Sequence, residues 1–490
     1  MTRTRDSRWE PSQSTPTATV VTPPRSGHFA LVALSRRIGR LGVSSLLVAT
    51  FSPLALIVSR AGQQVLLAIT FLDIPLQWGM HPGKNEDLNN LGALTGFDIS
   101  ITTFALIGLY GGLLLHYMIA PRNGVSRPLR LNVPLMCYMG FAVLSSLVAA
   151  HDVSLSLFHL WLLLQTYLLM IFVAGWVQTK KDLLFIIKLL LIGLVMESVI
   201  MLGIGLTGQG FRLGSGLKGH IDLYDNRAAG SLFTRVGGTV GSPNAAATYL
   251  VLLLILAVSV LLTGLDRSYK RLAGLGIGLG LPALMFTRSR AGWSVTVLGI
   301  LVLCLVASRR GWLKTRLNAK SRFALITGFV VLMVLFYSSV ARRVFSDDEG
   351  SAHSRVTMIR SAWHVILDHP LVGVGLNNYV FTLYQYAKIG DFVYVAHNTY
   401  LLTWSETGIG GLLAFLWFLT STLRKGWFCS TSGDPLLAPL SLGFTVGILA
   451  HMGHMLVELI YNDRFQIQLL WLIAALLTAL REMVRSQSRD

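Results

Sequence analysis

Five arginines and one histidine stand at the edges of long apolar runs, and their side chains are the ones in this chain best suited to chemistry. Arg288 and Arg290 lie in Phe286-Thr287-Arg288-Ser289-Arg290-Ala291-Gly292-Trp293, between two apolar runs with almost no loop. Arg235 precedes the run Val236-Gly237-Gly238-Thr239-Val240-Gly241-Ser242-Pro243-Asn244. Arg355 and Arg360 open a stretch that ends in Asp368-His369-Pro370-Leu371-Val372-Gly373-Val374-Gly375. His397-Asn398-Thr399-Tyr400-Leu401 opens another apolar run, with Glu406-Thr407-Gly408-Ile409-Gly410-Gly411 a few turns deeper. A guanidinium is a planar fork that binds phosphate oxygens in bidentate fashion. A neutral imidazole within reach of a hydroxyl can take its proton. Arginines that hold an anion and a histidine that activates a hydroxyl are the parts of a group-transfer site.

The elements that must position these residues are membrane spans. Of 490 residues, 53% are hydrophobic and only 13% charged, with a mean hydropathy of +0.60. A soluble domain carries about 25% charged residues. Apolar runs of about 17 to 24 residues recur along the chain and fit a polytopic helical protein. Backbone groups in lipid must bond internally, which favours helices, and a β-barrel would show short alternating segments instead. The expected fold is all-α, a transmembrane helical bundle of about 12 spans with a large, partly helical extracytoplasmic loop. Spans are expected near 42–58, 63–79, 98–119, 133–150, 156–177, 183–206, 240–263, 271–287, 291–308, 323–340, 398–420, 436–460 and 465–480. Full crossing by 42–58 as well as 63–79 would raise the count to about 13.

Charge then orients the bundle. Arg122/Arg127/Arg130, Lys180/Lys181, Arg267/Lys270/Arg271, the 309–322 run, Arg424/Lys425 and Arg481/Arg485/Arg489 occupy alternate loops, which the positive-inside rule assigns to the cytoplasm. The net charge of +18 is mainly this topological signal and does not imply nucleic-acid binding. Residues 1–40, rich in Ser, Thr, Pro and Arg, read as a disordered basic cytoplasmic arm. Both termini are then cytoplasmic, and 80–97, 207–239 and 341–397 fall outside. Those outer segments and the 288–290 turn still hold Arg235, Arg288, Arg290, Arg355 and Arg360. Positive residues outside work against insertion, so an anionic ligand is the economical explanation.

Local signals refine the roles. Ser242 or Asn244 can cap the helix that follows, and Arg235 is either a rim arginine or part of an anion site at that helix N-terminus. Arg290, beside Ala291-Gly292, is expected to face inward, and Arg288 to reach the headgroups or share the ligand. A helix is expected over about 354–368, with Trp363 and Ile366 as its apolar stripe and His369-Pro370 as its stop. Glu406 could orient a partner or bond within the bundle. His454 and Glu458 could pair at i, i+4, but no third ligand is evident, so no metal site is expected. Three cysteines without CxxC or CxxH spacing support neither a disulfide framework nor zinc.

These blocks, in this order, resemble the O-antigen ligase and polysaccharide polymerase superfamily of bacterial envelopes. The matching elements run from Arg235 and Gly241-Ser242-Pro243-Asn244, through Ser289-Arg290-Ala291-Gly292-Trp293 and Arg355 … Gly375, to His397-Asn398 … Gly411. The resemblance implies that 41–490 forms one O-antigen ligase-like transmembrane domain. The protein would be a metal-independent membrane glycosyltransferase of the inner membrane, with its site on the periplasmic face and no cofactor. Its donor would be a glycan on undecaprenyl diphosphate, and its acceptor a glycan or a lipid-A-core-like hydroxyl. Arg235 and Arg290 would hold the donor diphosphate, with His397 beside the acceptor; Arg288, Arg355, Arg360, Asn244, Asn398 and Glu406 are further binding candidates. Ligase and polymerase differ in acceptor and stay open. A lipid-linked saccharide flippase is the alternative of a different class, although no internal repeat of the transporter kind is visible.

Overall fold

The computed structural model describes residues 60–119, 129–208, 235–312, 351–386, 394–459 and 464–487. The expected arm over 1–40, the spans at 42–58 and 323–340 and most of the 207–239 loop lie outside the described residues. The long described helices are α1 (Arg60–Leu76), α2 (Ile101–Ile119), α3 (Val133–Ala149), α4 (Val153–Trp176), α5 (Lys180–Thr207) and α6 (Pro243–Leu261). They continue with α7 (Arg267–Thr287), α8 (Arg290–Arg309), α9 (Ser351–Asp368), α10 (Thr399–Ser430), α11 (Leu437–His454) and α12 (Arg464–Gln487). Six of these, α4, α5, α6, α8, α10 and α12, are long and apolar enough to cross a membrane, and shorter apolar helices cover Ile101–Leu115 and Val133–Ala149. The all-α polytopic expectation holds at that level; the count of about 12 spans goes beyond what the described helices establish.

Sequence dictates where the helices begin and turn. Thr179 and Asp182 form a capping box at the start of α5, and Gly208 ends that helix in a left-handed conformation at φ 66°. Ser242 accepts from Ala245 N with Pro243 at the first turn of α6, and Ser289 accepts from Gly292 N at the start of α8. Asn398 caps α10, accepting from the Tyr400 and Leu401 amides at 3.0 Å each. Between helices, small residues permit close approach: a Cβ on Gly443 of α11 would overlap Ser259 of α6. Trp471, Tyr138, Phe418, Phe444 and Phe465 are fully buried at the centre.

The two ends of the bundle differ. At one, Lys180 Nζ meets Asp434 Oδ2 at 2.5 Å, Gln487 donates to the same oxygen at 3.2 Å, and Arg310 donates to the Ser430 carbonyl. Burial pushes the Asp434 carboxyl up, but bonds from Lys180, the Leu437 and Leu436 amides and Gln487 outweigh it and hold it at about 2. These are the ends that carry the lysine and arginine runs. At the opposite end a two-stranded antiparallel ribbon pairs Gly79–Met80 with Ile99–Ser100. Beside it the buried Arg464 guanidinium bridges Asp73 and Asp98 at 3.2 Å each.

The segment between α9 and α10 is tied into this second end. Helix α10 runs on to Ser430, beyond the expected limit near 420, and is broken at Gly408, with φ 69° and ψ −178°. The break leaves the carbonyls of Ser405 and Glu406 without helical donors, and Val374 N and Gly375 N fill them at 2.9 and 3.1 Å. In return, Ile409 N donates to Pro370 O at 3.0 Å. The Gly373-Val374-Gly375 turn and the Glu406–Gly411 run are therefore two halves of one junction. The expected stripe on α9 needs correcting. Met358, Ala362, Val365 and Ile366 form its buried face, whereas Trp363 is 47% exposed and sits edge-on to Trp404 at 6.0 Å.

Candidate functional site

The N-termini of α6, α8 and α10 and the C-termini of α7 and α11 meet at the end of the bundle away from the basic runs. Arg235 sits where this end opens. Its Nε donates to Thr287 O at 3.1 Å, at the close of α7, and its Nη2 donates to Asn244 Oδ1 at 2.7 Å, in the first turn of α6. The adjacent Val236 N donates to Phe286 O at 3.1 Å, so backbone as well as side chain fix the arginine. Arg288 adopts a left-handed φ of 52° as the cap of α7, and Arg290 begins α8 with its Nε and Nη2 buried. Arg235, Asn244, Arg288 and Arg290 thus belong to one neighbourhood at two parallel helix N-termini, a setting that favours anions.

Thr248, His454 and the turn after α11 connect this neighbourhood to His397. Thr248, one turn beyond Asn244, donates to the Asn244 carbonyl at 3.0 Å and contacts His454 Nδ1 at 2.8 Å. Helix α11 ends at His454, and the following turn carries Glu458 over to His397, with Nδ1 3.6 Å from Glu458 Oε1. The i, i+4 helical pairing expected for His454 and Glu458 is replaced by this turn. Three bonds hold it against α10: Thr399 N to Met455 O at 2.9 Å, Thr399 Oγ1 to Glu458 O at 2.9 Å, and Asn398 Nδ2 to Leu456 O at 3.0 Å. The His397 ring stacks on Tyr394 at 5.2 Å.

Electrostatics single out Glu458. Burial alone would raise its carboxyl, but the contact with His397 and the charges of His397, His454 and Arg355 outweigh burial and hold it below the usual carboxylate range. Arg355 is half-buried on α9, and its charge bears on both His454 and Glu458. Arg360, by contrast, is exposed. Glu406 lies elsewhere: it is 2% exposed, and the Asn377 and Tyr379 amides donate to its carboxylate. Of the two roles open to it, bonding within the bundle is the one its geometry displays. Among the described residues no group of three or more His, Cys, Asp or Glu side chains could hold a metal ion.

Two further residues bear on the site. Glu458 had a visible signal, since it follows His454 at i+4, but its partnership with His397 had none. Glu197, fully buried in α5, accepts from Thr239 N at 2.8 Å and Thr239 Oγ1 at 2.5 Å. It thereby pins the Gly238–Val240 turn between Arg235 and α6; a Cβ on Gly238 would overlap its carboxylate. A lone acid inside an apolar run was the sequence signal for that role.

No curated protein matches the chain at a significant level. Residues 275–416 match the family model described as O-antigen ligase. The match covers Arg288, Arg290, Arg355, Arg360, His397, Asn398 and Glu406, and stops short of Glu458. Over residues 275–416 the chain is therefore similar to O-antigen ligases, on a protein whose helices are long and apolar enough to cross a membrane.

Proposed function

We propose that this protein transfers an undecaprenyl-diphosphate-linked glycan to an acceptor hydroxyl on the extracytoplasmic face of the inner membrane, as a ligase or polymerase. The observation that carries this reading is the run of polar contacts from Arg235 through Asn244 and Thr248 to His454, with the turn after His454 carrying Glu458 to its place opposite His397. It gathers Arg235, Arg288 and Arg290 and the His397–Glu458 pair at one end of one bundle, which is what the reading requires.

In this mechanism Arg235 and Arg290 grip the donor diphosphate, with Arg288 and Arg355 at its margin, and stabilise the charge that grows on it as it leaves. Glu458 Oε1, 3.6 Å from His397 Nδ1, favours the ring proton on that nitrogen, which leaves Nε2 to take the proton of the acceptor hydroxyl. The hydroxyl oxygen forms the new glycosidic bond in line with the departing phosphate, so the anomeric centre inverts. The diphosphate leaves with the bonding electron pair, and the proton rests on the imidazolium beside the Glu458 carboxylate. Reconstituted transfer with a lipid-linked donor tests the reading: correctly inserted Arg290→Ala and His397→Ala variants should lose transfer, and full activity in either would overturn it.

A further inference from the structure

Helix α9 has two apolar faces, and only one of them is covered by protein. Met358, Ala362, Val365 and Ile366 pack inward. Val356, Ile359, Trp363, Leu367 and Leu371, just past the helix end, are each 44 to 73% exposed. At about 100° per residue the four helical members fall within an arc of roughly 80°. Arg360 and His364, both exposed, flank that arc on one side only. A helix in water gains nothing from such an arc, because solvated apolar surface costs about 25 cal/mol per Å² relative to burial.

We infer that α9 is a membrane-interfacial helix whose outward apolar arc is seated in the lipid leaflet at the N-terminal end of α10. Three observations favour lipid over another occupant. First, Trp363 packs edge-on against Trp404, and Trp404 Nε1 donates to Pro370 O at 3.1 Å, which fixes the height of α9 against α10. Second, Trp404 lies little more than one turn into α10, about 7 Å from its start, the level at which tryptophans gather in membrane proteins. Third, α10, the helix that α9 is held against, is itself long and apolar enough to span and carries exposed apolar side chains further along, Leu413 and Trp417. Arg360 and His364 then face headgroups and water, as on other helices that lie in the interface. The inference rests on the proposed function only in calling that leaflet the outer one, and its test does not involve glycan transfer.

The test is spin-label accessibility on the full chain in phosphatidylcholine nanodiscs, with Cys137, Cys304 and Cys429 replaced. Labels go at Leu367→Cys, Leu371→Cys and His364→Cys, with Leu144→Cys, 49% exposed on α3, as the lipid-facing reference. Labels at 367 and 371 should match the reference, accessible to oxygen and shielded from a water-soluble nickel chelate, with the ratio reversed at 364. Nickel access at 367 and 371 equal to that at 364 would put the arc in water and overturn the inference. Protection from both reagents would overturn it in favour of a protein covering, a second copy or another partner. Should one of the two arc variants fail to insert, the other decides.

Discussion

His397 Nδ1 and Glu458 Oε1 lie 3.6 Å apart although 61 positions separate them in the chain. The pair exists because the turn after α11 is bonded to the first residues of α10. If the carboxylate holds the imidazole for proton transfer, Glu458→Ala should lower turnover by roughly 100-fold with little change in the donor KM. Glu458→Gln, which can still accept a hydrogen bond, should retain more activity than the alanine variant. Steady-state transfer in proteoliposomes reads both parameters. Equal losses in turnover and donor binding would assign Glu458 to the fold instead.

Arg235 should behave differently. Its guanidinium spans Thr287 O and Asn244 Oδ1, a geometry an ammonium cannot reproduce. Arg235→Lys should keep the charge yet lose about 1.5–3 kcal/mol of this hydrogen bonding, roughly 10- to 100-fold in kcat/KM for the donor. Measured kcat/KM within twofold of wild type would show that charge alone suffices.

Gly408 should be a stability position. Its φ of 69° is left-handed, and a Cβ there would overlap the Leu371 carbonyl. Gly408→Ala should destabilise the protein by about 1–3 kcal/mol through strain, before any loss from the displaced 370–375 turn. A lowered thermal transition in detergent checks this.

The far end of the bundle yields a pH prediction. Asp434 is held at about 2, below its ordinary value of 3.8. A carboxylate depressed on folding adds stability that is fully present above its unfolded value and is lost as pH falls toward the folded one. Asp434→Asn should therefore melt below wild type at neutral pH, and the difference should shrink as pH falls from about 4 to about 2. A difference that stays constant with pH would remove the Lys180 pairing as its source.

Local signals in the sequence carried far. Ser242, Ser289 and Asn398 sit where their residue types predict helix starts, and six of the apolar runs lie in helices long and apolar enough to cross a membrane. Arg235, Arg288 and Arg290 stood out as charge that the expected topology leaves unexplained. What stayed hidden depends on packing between distant helices. The partner of His397 could not be read because Glu406, nine positions away, looks as eligible as Glu458; only the break at Gly408 and the docking of 374–375 turn Glu406 toward the Asn377 and Tyr379 amides. Trp363 misled for a related reason. A large aromatic on an amphipathic helix usually marks the protein-facing side, but α9 has a second apolar face.

The proposed role of His397, activation of an acceptor for a lipid-linked glycan, can be tested in cells by complementation. Cells lacking the gene receive wild type or His397→Ala, and surface glycan and lipid-linked intermediates are separated on gels. Wild type should restore the surface glycan, whereas His397→Ala, inserted at equal level, should leave lipid-linked intermediates accumulating. Long accumulated chains would mean ligase, and single repeat units polymerase. Full restoration of the surface glycan by His397→Ala would rule out that role for His397.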